Sequence, residues 1–220
     1  MKAIKTYISV YPLWYRLIVF IAVPVSVILY AVVTVIAAGS ADGFDAGFNI
    51  SLSAMLLIYA ELFGEWFTLG EICVRKGAFG DVVLSSPKGR LFVKRFAVVD
   101  TLRKVVGYPL IFIMQQLVVQ AISPGMANIF DGLFLGFIYA FSITVGVMVI
   151  RKTKAVALRF LSVFVTSVGM AVLGVPYVFI NAPTAKLVIG ITAAILAILF
   201  AFLSMRMVVK NSREDYYDER

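Results

Sequence analysis

The sequence predicts an all-α membrane protein, a polytopic bundle of six transmembrane helices. Of its 220 residues, 62% are hydrophobic, and the mean hydropathy of +0.99 leaves too little polar surface to coat a soluble globule of this size. Apolar runs of about 20 residues, the length that crosses roughly 30 Å of hydrocarbon as a helix, recur along the chain. A transmembrane barrel would instead show short segments of alternating polarity. A helical bundle follows.

The predicted spans follow one another without a Gly/Ser-rich or charge-run linker that would separate two domains. The first apolar run is much longer than the roughly 7–15 residues of a cleavable signal, so we expect it to remain as an anchor. The second and third spans are separated by a basic segment at 75–104, and the others by short loops. Residues 1–220 therefore form a single domain with spans at about 13–38, 50–74, 105–122, 132–150, 160–180 and 187–209.

The basic residues fix the predicted orientation, because Lys and Arg in short loops remain on the cytoplasmic side. They lie before the first span, in 75–104, in 151–159 and after the last span, whereas Lys186 is the single basic residue of the opposite loops. Both termini are therefore predicted to be cytoplasmic. The same placement accounts for the net charge of +8 through topology and attraction to anionic lipid, so membrane lipids and not nucleic acid are the expected partners.

Several kinds of chemistry lack the residues they need. The chain has one cysteine, Cys73, and no histidine, which excludes an internal disulfide, a Cys/His metal cage and a His-based catalytic triad. It also lacks G-x-x-x-x-G-K-[ST], the loop that cradles nucleotide phosphates. We predict no enzyme activity, no catalytic residue, no metal and no directly bound cofactor, so any ATP-driven work requires another polypeptide.

The start of the basic segment predicts a short helix at the inner membrane surface. The chain leaves the second span at Arg75, and Gly77 permits a turn. Asp81 can cap a short amphipathic helix that contains Leu84, and Pro87 ends it because proline cannot continue a helix without losing a backbone bond.

These residues resemble those of a known family. Glu71 near the end of the second span leads through Gly77 and Phe79 to Asp81, Leu84 and Pro87, and a basic stretch then enters the third span. Before the last span, residues 175–183 have the sequence Val-Pro-Tyr-Val-Phe-Ile-Asn-Ala-Pro. Both patterns are similar to those of the permease subunits of type-2 ABC exporters.

The resemblance implies a function and partners. The segment between the second and third spans would be the coupling helix, which docks on a separate ABC ATPase subunit that binds and hydrolyses ATP. A second permease chain, identical or similar, would complete the transporter in a bacterial or archaeal inner membrane. The residues of this ATPase-coupling elbow would be Arg75, Lys76, Gly77, Phe79, Asp81, Leu84 and Pro87.

Acidic residues inside the second span are the other candidate site. Glu61 and Glu65 lie one helical turn apart, with Glu71 closer to the cytoplasm. A charged acid within a bilayer is costly, so each must face the bundle, pair with a cation or stay protonated. They form either a polar translocation path or ion site with Gln115 and Gln116, or structural hydrogen bonds to these two glutamines, to Gln120 or to a tyrosine hydroxyl.

Two other functions stay open on these residues. A carrier driven by protons or other ions would use Glu61 and Glu65 as its relay. A membrane scaffold or immunity protein that transports nothing would tolerate changes at Gly77, Phe79 and Asp81, provided that it still folded. In all three cases Arg16 is the expected ion-pair partner of Glu71, since both lie near the same membrane face.

Overall fold

The computed structural model describes residues 13–37, 55–70, 88–124, 128–153, 155–180 and 182–214, together with residues 4 and 86. Within these ranges the regular elements are all helices. This agrees with the predicted all-α class, since a backbone in hydrocarbon must satisfy its own hydrogen bonds.

Six long helices follow one another in the described residues. Helix α1 comprises Leu13–Leu17, a π-helical turn at Ile18–Ala22 and Val23–Ala37. Helix α2 covers residues 55–65 and ends in a second π-helical turn at Trp66–Gly70. The remaining helices are α3 (Gly89–Ile122), α4 (Ile129–Lys152), α5 (Val156–Phe179) and α6 (Pro183–Glu214).

Four of these helices are long and apolar enough to cross a membrane: Tyr15–Val33 of α1, Leu91–Ile122 of α3, Ile129–Lys152 of α4 and Pro183–Lys210 of α6. A shorter apolar stretch, Val156–Gly169, lies in α5. The protein is thus a helical, membrane-embedded chain, while membrane crossing by α2 and α5 remains a prediction.

Helix α3 differs most from the sequence prediction. Its span was expected at 105–122, after an elbow of 75–104, but the helix begins at Gly89. At 1.5 Å per residue its 34 residues extend over about 51 Å, much more than the hydrocarbon thickness. Residues 89–104 therefore belong to a helix that continues into the bundle, and they bring charged side chains with them.

Helix α4 lies at the centre of the bundle. It packs against α6 and α3 most extensively and also against α5, and its apolar side chains are buried along most of its length. Asn128 caps its start, because the Asn128 side chain accepts a hydrogen bond of 3.0 Å from the backbone N–H of Phe130. The central core includes Ile58 and Leu62 of α2, Phe112 of α3, and Tyr139 and Ile143 of α4.

Two glycines allow helices to approach closely. A Cβ added at Gly136 of α4 would lie 2.4 Å from the Cα of Pro109 in α3, so a larger residue there would separate the two helices. A Cβ at Gly64 of α2 would collide with the Tyr15 hydroxyl of α1, which donates a hydrogen bond of 3.1 Å to the Ala60 carbonyl.

Candidate functional site

A buried cluster of six charged side chains joins α2, α3 and α4. Helix α2 contributes two carboxylates, α3 contributes one carboxylate and two cations, and α4 contributes one cation from its last turn. We call this set the ionic layer; it consists of Glu61, Glu65, Asp100, Arg103, Lys104 and Arg151. Its formal charges sum to zero.

The inner part of the ionic layer is almost inaccessible. Lys104 Nζ donates to Glu65 Oε2 at 2.7 Å and to Asp100 Oδ2 at 2.5 Å. Arg151 Nε donates to Glu65 Oε1 at 2.6 Å, and its Nη2 lies 3.4 Å from Asp100 Oδ2. The four side chains are 3% exposed or less. Arg151 Nη1 also donates to the Ser204 hydroxyl of α6 at 2.6 Å, which attaches a fourth helix.

The outer part is a single pair. Arg103 donates from Nη1 and Nη2 to the two carboxylate oxygens of Glu61, a bidentate arrangement. Arg103 is 21% exposed and Glu61 6%. The guanidinium also lies 5.4 Å from the ring centroid of Phe20 in α1 and 3.6 Å from Asp100. The pair thus connects the ionic layer to α1.

Electrostatics explain why these groups gather. A charge taken out of water costs several kcal/mol, and attraction to a counter-ion offsets that cost only when geometry and hydrogen bonding are favourable. Here Lys104 and Arg151 each contact both Glu65 and Asp100. Because every inner group has more than one partner of opposite charge, no inner charge depends on a single counter-ion.

The ionic layer separates two apolar clusters. The central core lies on one side, where Tyr108 and Phe112 continue α3 beyond Lys104. A second cluster lies on the other side and contains buried residues from α2, α3 and α6: Leu69, Val93, Phe96, Ala97 and Val208. We call these five residues the lower cluster. It lies next to the end of α2 and the start of α3, the two helix ends that the predicted elbow connects.

The end of α2 is held by a further arginine. Arg159 of α5 donates to the Gly70 carbonyl at 3.0 Å and to the Thr153 carbonyl at 2.8 Å. Although exposed apolar residues surround it along the chain, Arg159 itself is buried. This arginine therefore fixes the last turn of α2 against the connection between α4 and α5.

The structure brings two of the predicted site residues together and places two others elsewhere in the bundle. Glu61 and Glu65 lie together in the ionic layer, paired with cations. Gln115 and Gln116 are buried elsewhere: Gln115 Nε2 lies 3.5 Å from the Val27 carbonyl, and Gln116 faces Gly132. The expected hydrogen bonds between these glutamines and the two acids are therefore not what holds the carboxylates. Glu71 lies outside the described residues, and so do Arg75, Lys76, Gly77, Phe79, Asp81, Leu84 and Pro87.

Four members of the ionic layer were not singled out as site residues. Asp100, Arg103 and Lys104 were assigned to the elbow, and Arg151 to a cytoplasmic connection. One signal for them was present in the sequence, since Asp100 precedes Arg103 and Lys104 by three and four residues, the spacing of neighbours on a helix. A second was the need of Glu61 and Glu65 for cations.

Two cavities lie beside charged pairs. One, of about 450 Å³, lies at the end of the bundle remote from the ionic layer, beside the pair between Lys186 Nζ and Asp131 Oδ2 at 2.9 Å. The other, of about 260 Å³, lies among α1, α2 and α3 beside Glu61 and Arg103. Among the described residues, no group of three or more His, Cys, Asp or Glu side chains is arranged to hold a metal ion.

Comparison with known proteins identifies no relative: no family model, curated protein or solved structure matches the chain.

Proposed function

We propose that this chain is the membrane-spanning permease subunit of an ATP-driven exporter of the type-2 ABC class. A separate ATPase subunit would bind the elbow between α2 and α3, and a second permease chain would complete the transporter. ATP is hydrolysed on the partner, and this chain changes conformation in response.

The observation that carries the proposal is that the ionic layer joins the two helices between which the predicted elbow lies in the sequence. Five of the six charged residues lie on α2 and α3, the two helices that the elbow joins. Helix α2 reaches Gly70 and α3 starts at Gly89, so a force applied between these residues acts directly on both helices.

The lower cluster provides a mechanical path for that force. Leu69 of α2 packs with Val93, Phe96 and Ala97 of α3, and these residues precede Asp100 on the same helix. Because a packed core transmits displacement, movement of the elbow would tilt α3 and α2 together. Such a tilt would act on an ionic layer whose members each have several partners, and a change in those pairings would accompany a change between two bundle arrangements.

The same contacts weigh against an ion-driven carrier. A relay carboxylate must take up and release a proton, but Glu61 is paired with Arg103, and Glu65 is paired with both Lys104 and Arg151. Removing the charge of either acid would leave the ionic layer with one more cation than carboxylate in a largely buried site, which is costly. The pairing therefore favours a structural or conformational role for both acids.

The test is affinity purification in mild detergent from the native host. The elbow variant Phe79→Asp, Asp81→Lys is compared with wild type and with a matched control, Phe44→Asp, Asp42→Lys, which makes the same two changes in the predicted outer loop. We expect an ABC-type ATPase to co-purify with wild type and with the control, and to be lost from the elbow variant.

Two outcomes would contradict the proposal. One is the absence of any ATPase from wild-type preparations that retain other known membrane complexes. The other is ATPase activity in the purified chain alone. Substrate movement that continues without an ATPase but stops in a Glu61→Gln variant would establish the carrier instead. An elbow variant that still performs the role of the wild-type chain in the host would favour the non-transporting membrane scaffold.

A further inference from the structure

The cavity beside the Glu61–Arg103 pair has the composition of a site for an amphiphile. Apolar side chains from three helices line most of it, including Val19 of α1, Leu57 of α2 and Ile111 of α3. Glu61 and Arg103 provide charged lining residues. A molecule that combines an apolar chain with a polar headgroup would match both parts.

The size of the cavity indicates how such a molecule would lie. Its volume of about 260 Å³ is below the roughly 300 Å³ at which pockets begin to enclose a drug-sized ligand. Leu110, which also lines the cavity, is 54% exposed on the outer face of α3. The cavity therefore has room for a headgroup and the nearest carbons, while the rest of an acyl chain would lie along the bundle in the surrounding hydrocarbon.

The charge of the site selects the headgroup. The inner groups Glu65, Asp100, Lys104 and Arg151 balance one another, so the cavity faces a one-to-one pair of zero net charge. A purely anionic or cationic headgroup would add an unmatched charge at a partly buried site, and that is unfavourable. A zwitterion adds a cation and an anion together and keeps the site neutral.

The pair also has the hydrogen-bonding capacity for a zwitterion. A guanidinium carries five N–H donors and a carboxylate about four lone-pair directions. Both can bind a headgroup while the bidentate pair stays intact. The guanidinium is the more exposed member, suited to a phosphate, and the carboxylate behind it can accept from an ammonium N–H.

The depth of the pair in the membrane agrees with a lipid headgroup. The ionic layer to which the pair belongs includes Arg151, which lies in the last turn of α4 at one end of the apolar stretch Ile129–Lys152. The pair is thus at the boundary where lipid phosphates and ammonium groups reside.

We propose that this cavity is a binding site for a phospholipid with a phosphoethanolamine headgroup, with its phosphate on Arg103 and its ammonium on Glu61. The inference requires only a membrane-embedded chain and is independent of the proposed permease function. Loss of the ATPase partner would leave it unaffected.

The experiment compares three lipids with identical acyl chains by native mass spectrometry of the protein in uncharged detergent. Phosphatidylethanolamine is the proposed ligand. Phosphatidylcholine has the same charges but no ammonium N–H, and phosphatidylglycerol is anionic. Since a hydrogen bond to a charged group contributes about 1.5–3 kcal/mol, wild type should retain phosphatidylethanolamine about tenfold or more over the other two.

Variants assign the binding to this cavity. Gly107 lines it, and an added Cβ there meets Arg103 Cγ at 3.8 Å, an ordinary contact, so Gly107→Leu fills the cavity without a backbone clash. The control is Gly169→Leu in α5, where nothing lies within 4 Å of an added Cβ. Preferential retention should be lost in the first variant and kept in the second.

A charge variant tests the headgroup independently of packing. Glu61→Gln makes the site formally positive, so its preference should change from phosphatidylethanolamine to phosphatidylglycerol. Equal retention of the three lipids by wild type would overturn the proposal. So would a preference that is unchanged in both Gly107→Leu and Glu61→Gln, when size-exclusion profiles show that the variants are folded.

Discussion

Replacing Arg151 by glutamine tests the ionic layer most directly. Arg151 is 1% exposed and contacts Glu65, Asp100 and Ser204. Its removal leaves two carboxylates to share Lys104 in a buried site. Breaking a buried ion pair by removing one partner costs about 3–5 kcal/mol, because the remaining charge stays desolvated without compensation. We expect Arg151→Gln to lower the free energy of unfolding by that amount.

The adjacent residue supplies the control. Lys152 is also basic and lies in the same last turn of α4, but its side chain is exposed. Lys152→Gln should change stability by less than about 0.5 kcal/mol, the usual range for an exposed substitution. Thermal unfolding in mild detergent, monitored by loss of the monodisperse size-exclusion peak, should show a fall in Tm of about 6–20 °C for Arg151→Gln, the shift that about 3–5 kcal/mol produces in a chain of this size.

A double variant separates charge from packing. Removing both charges with Glu65→Gln and Arg151→Gln restores the balance between Asp100 and Lys104. The double variant should therefore be more stable than the sum of the single effects predicts, by about 0.5–3 kcal/mol of coupling. Equal stability of Arg151→Gln and Lys152→Gln, or strict additivity in the double variant, would refute the ionic layer as described.

Two further variants examine contacts away from the ionic layer. Gly136→Leu should prevent the close approach of α4 to Pro109 in α3. It should lower the free energy of unfolding by more than about 3 kcal/mol in the same assay, because the new side chain would collide with the Pro109 backbone and not with a flexible side chain. A near-neutral result would mean that the two helices do not meet there. Asp131→Asn should cost less than about 1 kcal/mol, since its pair with Lys186 is partly exposed, and the cost should fall further in high salt; a larger, salt-independent loss would show that this pair is buried.

The sequence was sufficient for the helical membrane class because that inference depends on composition and on the length of apolar runs. Helices α4 and α6 lie within a few residues of their predicted spans. The connection before the last span is shorter than predicted, because α5 ends at Phe179 and α6 begins at Pro183, a residue suited to the first helical turn.

The partners of Glu61 and Glu65 were harder to predict, and the physical reason is specific. Basic residues at the edge of an apolar run indicate a cytoplasmic loop by statistics. That statistic cannot distinguish a cation in solvent from one on a helix that continues beyond the membrane. Lys104 and Arg151 are of the second kind and turn inward, because two buried carboxylates on α2 need them.

The order of the chain gives the ionic layer a consequence for biosynthesis. The two acids of α2 emerge from the ribosome before any of their cations, because Lys104 and Arg151 follow Glu65 by 39 and 86 residues. A charged residue in a lone helix disfavours insertion, by as much as about 2.5–3.5 kcal/mol at the helix centre. We therefore expect α2, as a predicted span, to gain little by leaving the translocon alone for lipid, so that its stable integration awaits α3 and then α4. A nascent chain that stops after α3 would keep Lys104 but lack Arg151, so we expect quality-control proteases to recognise such fragments as unassembled.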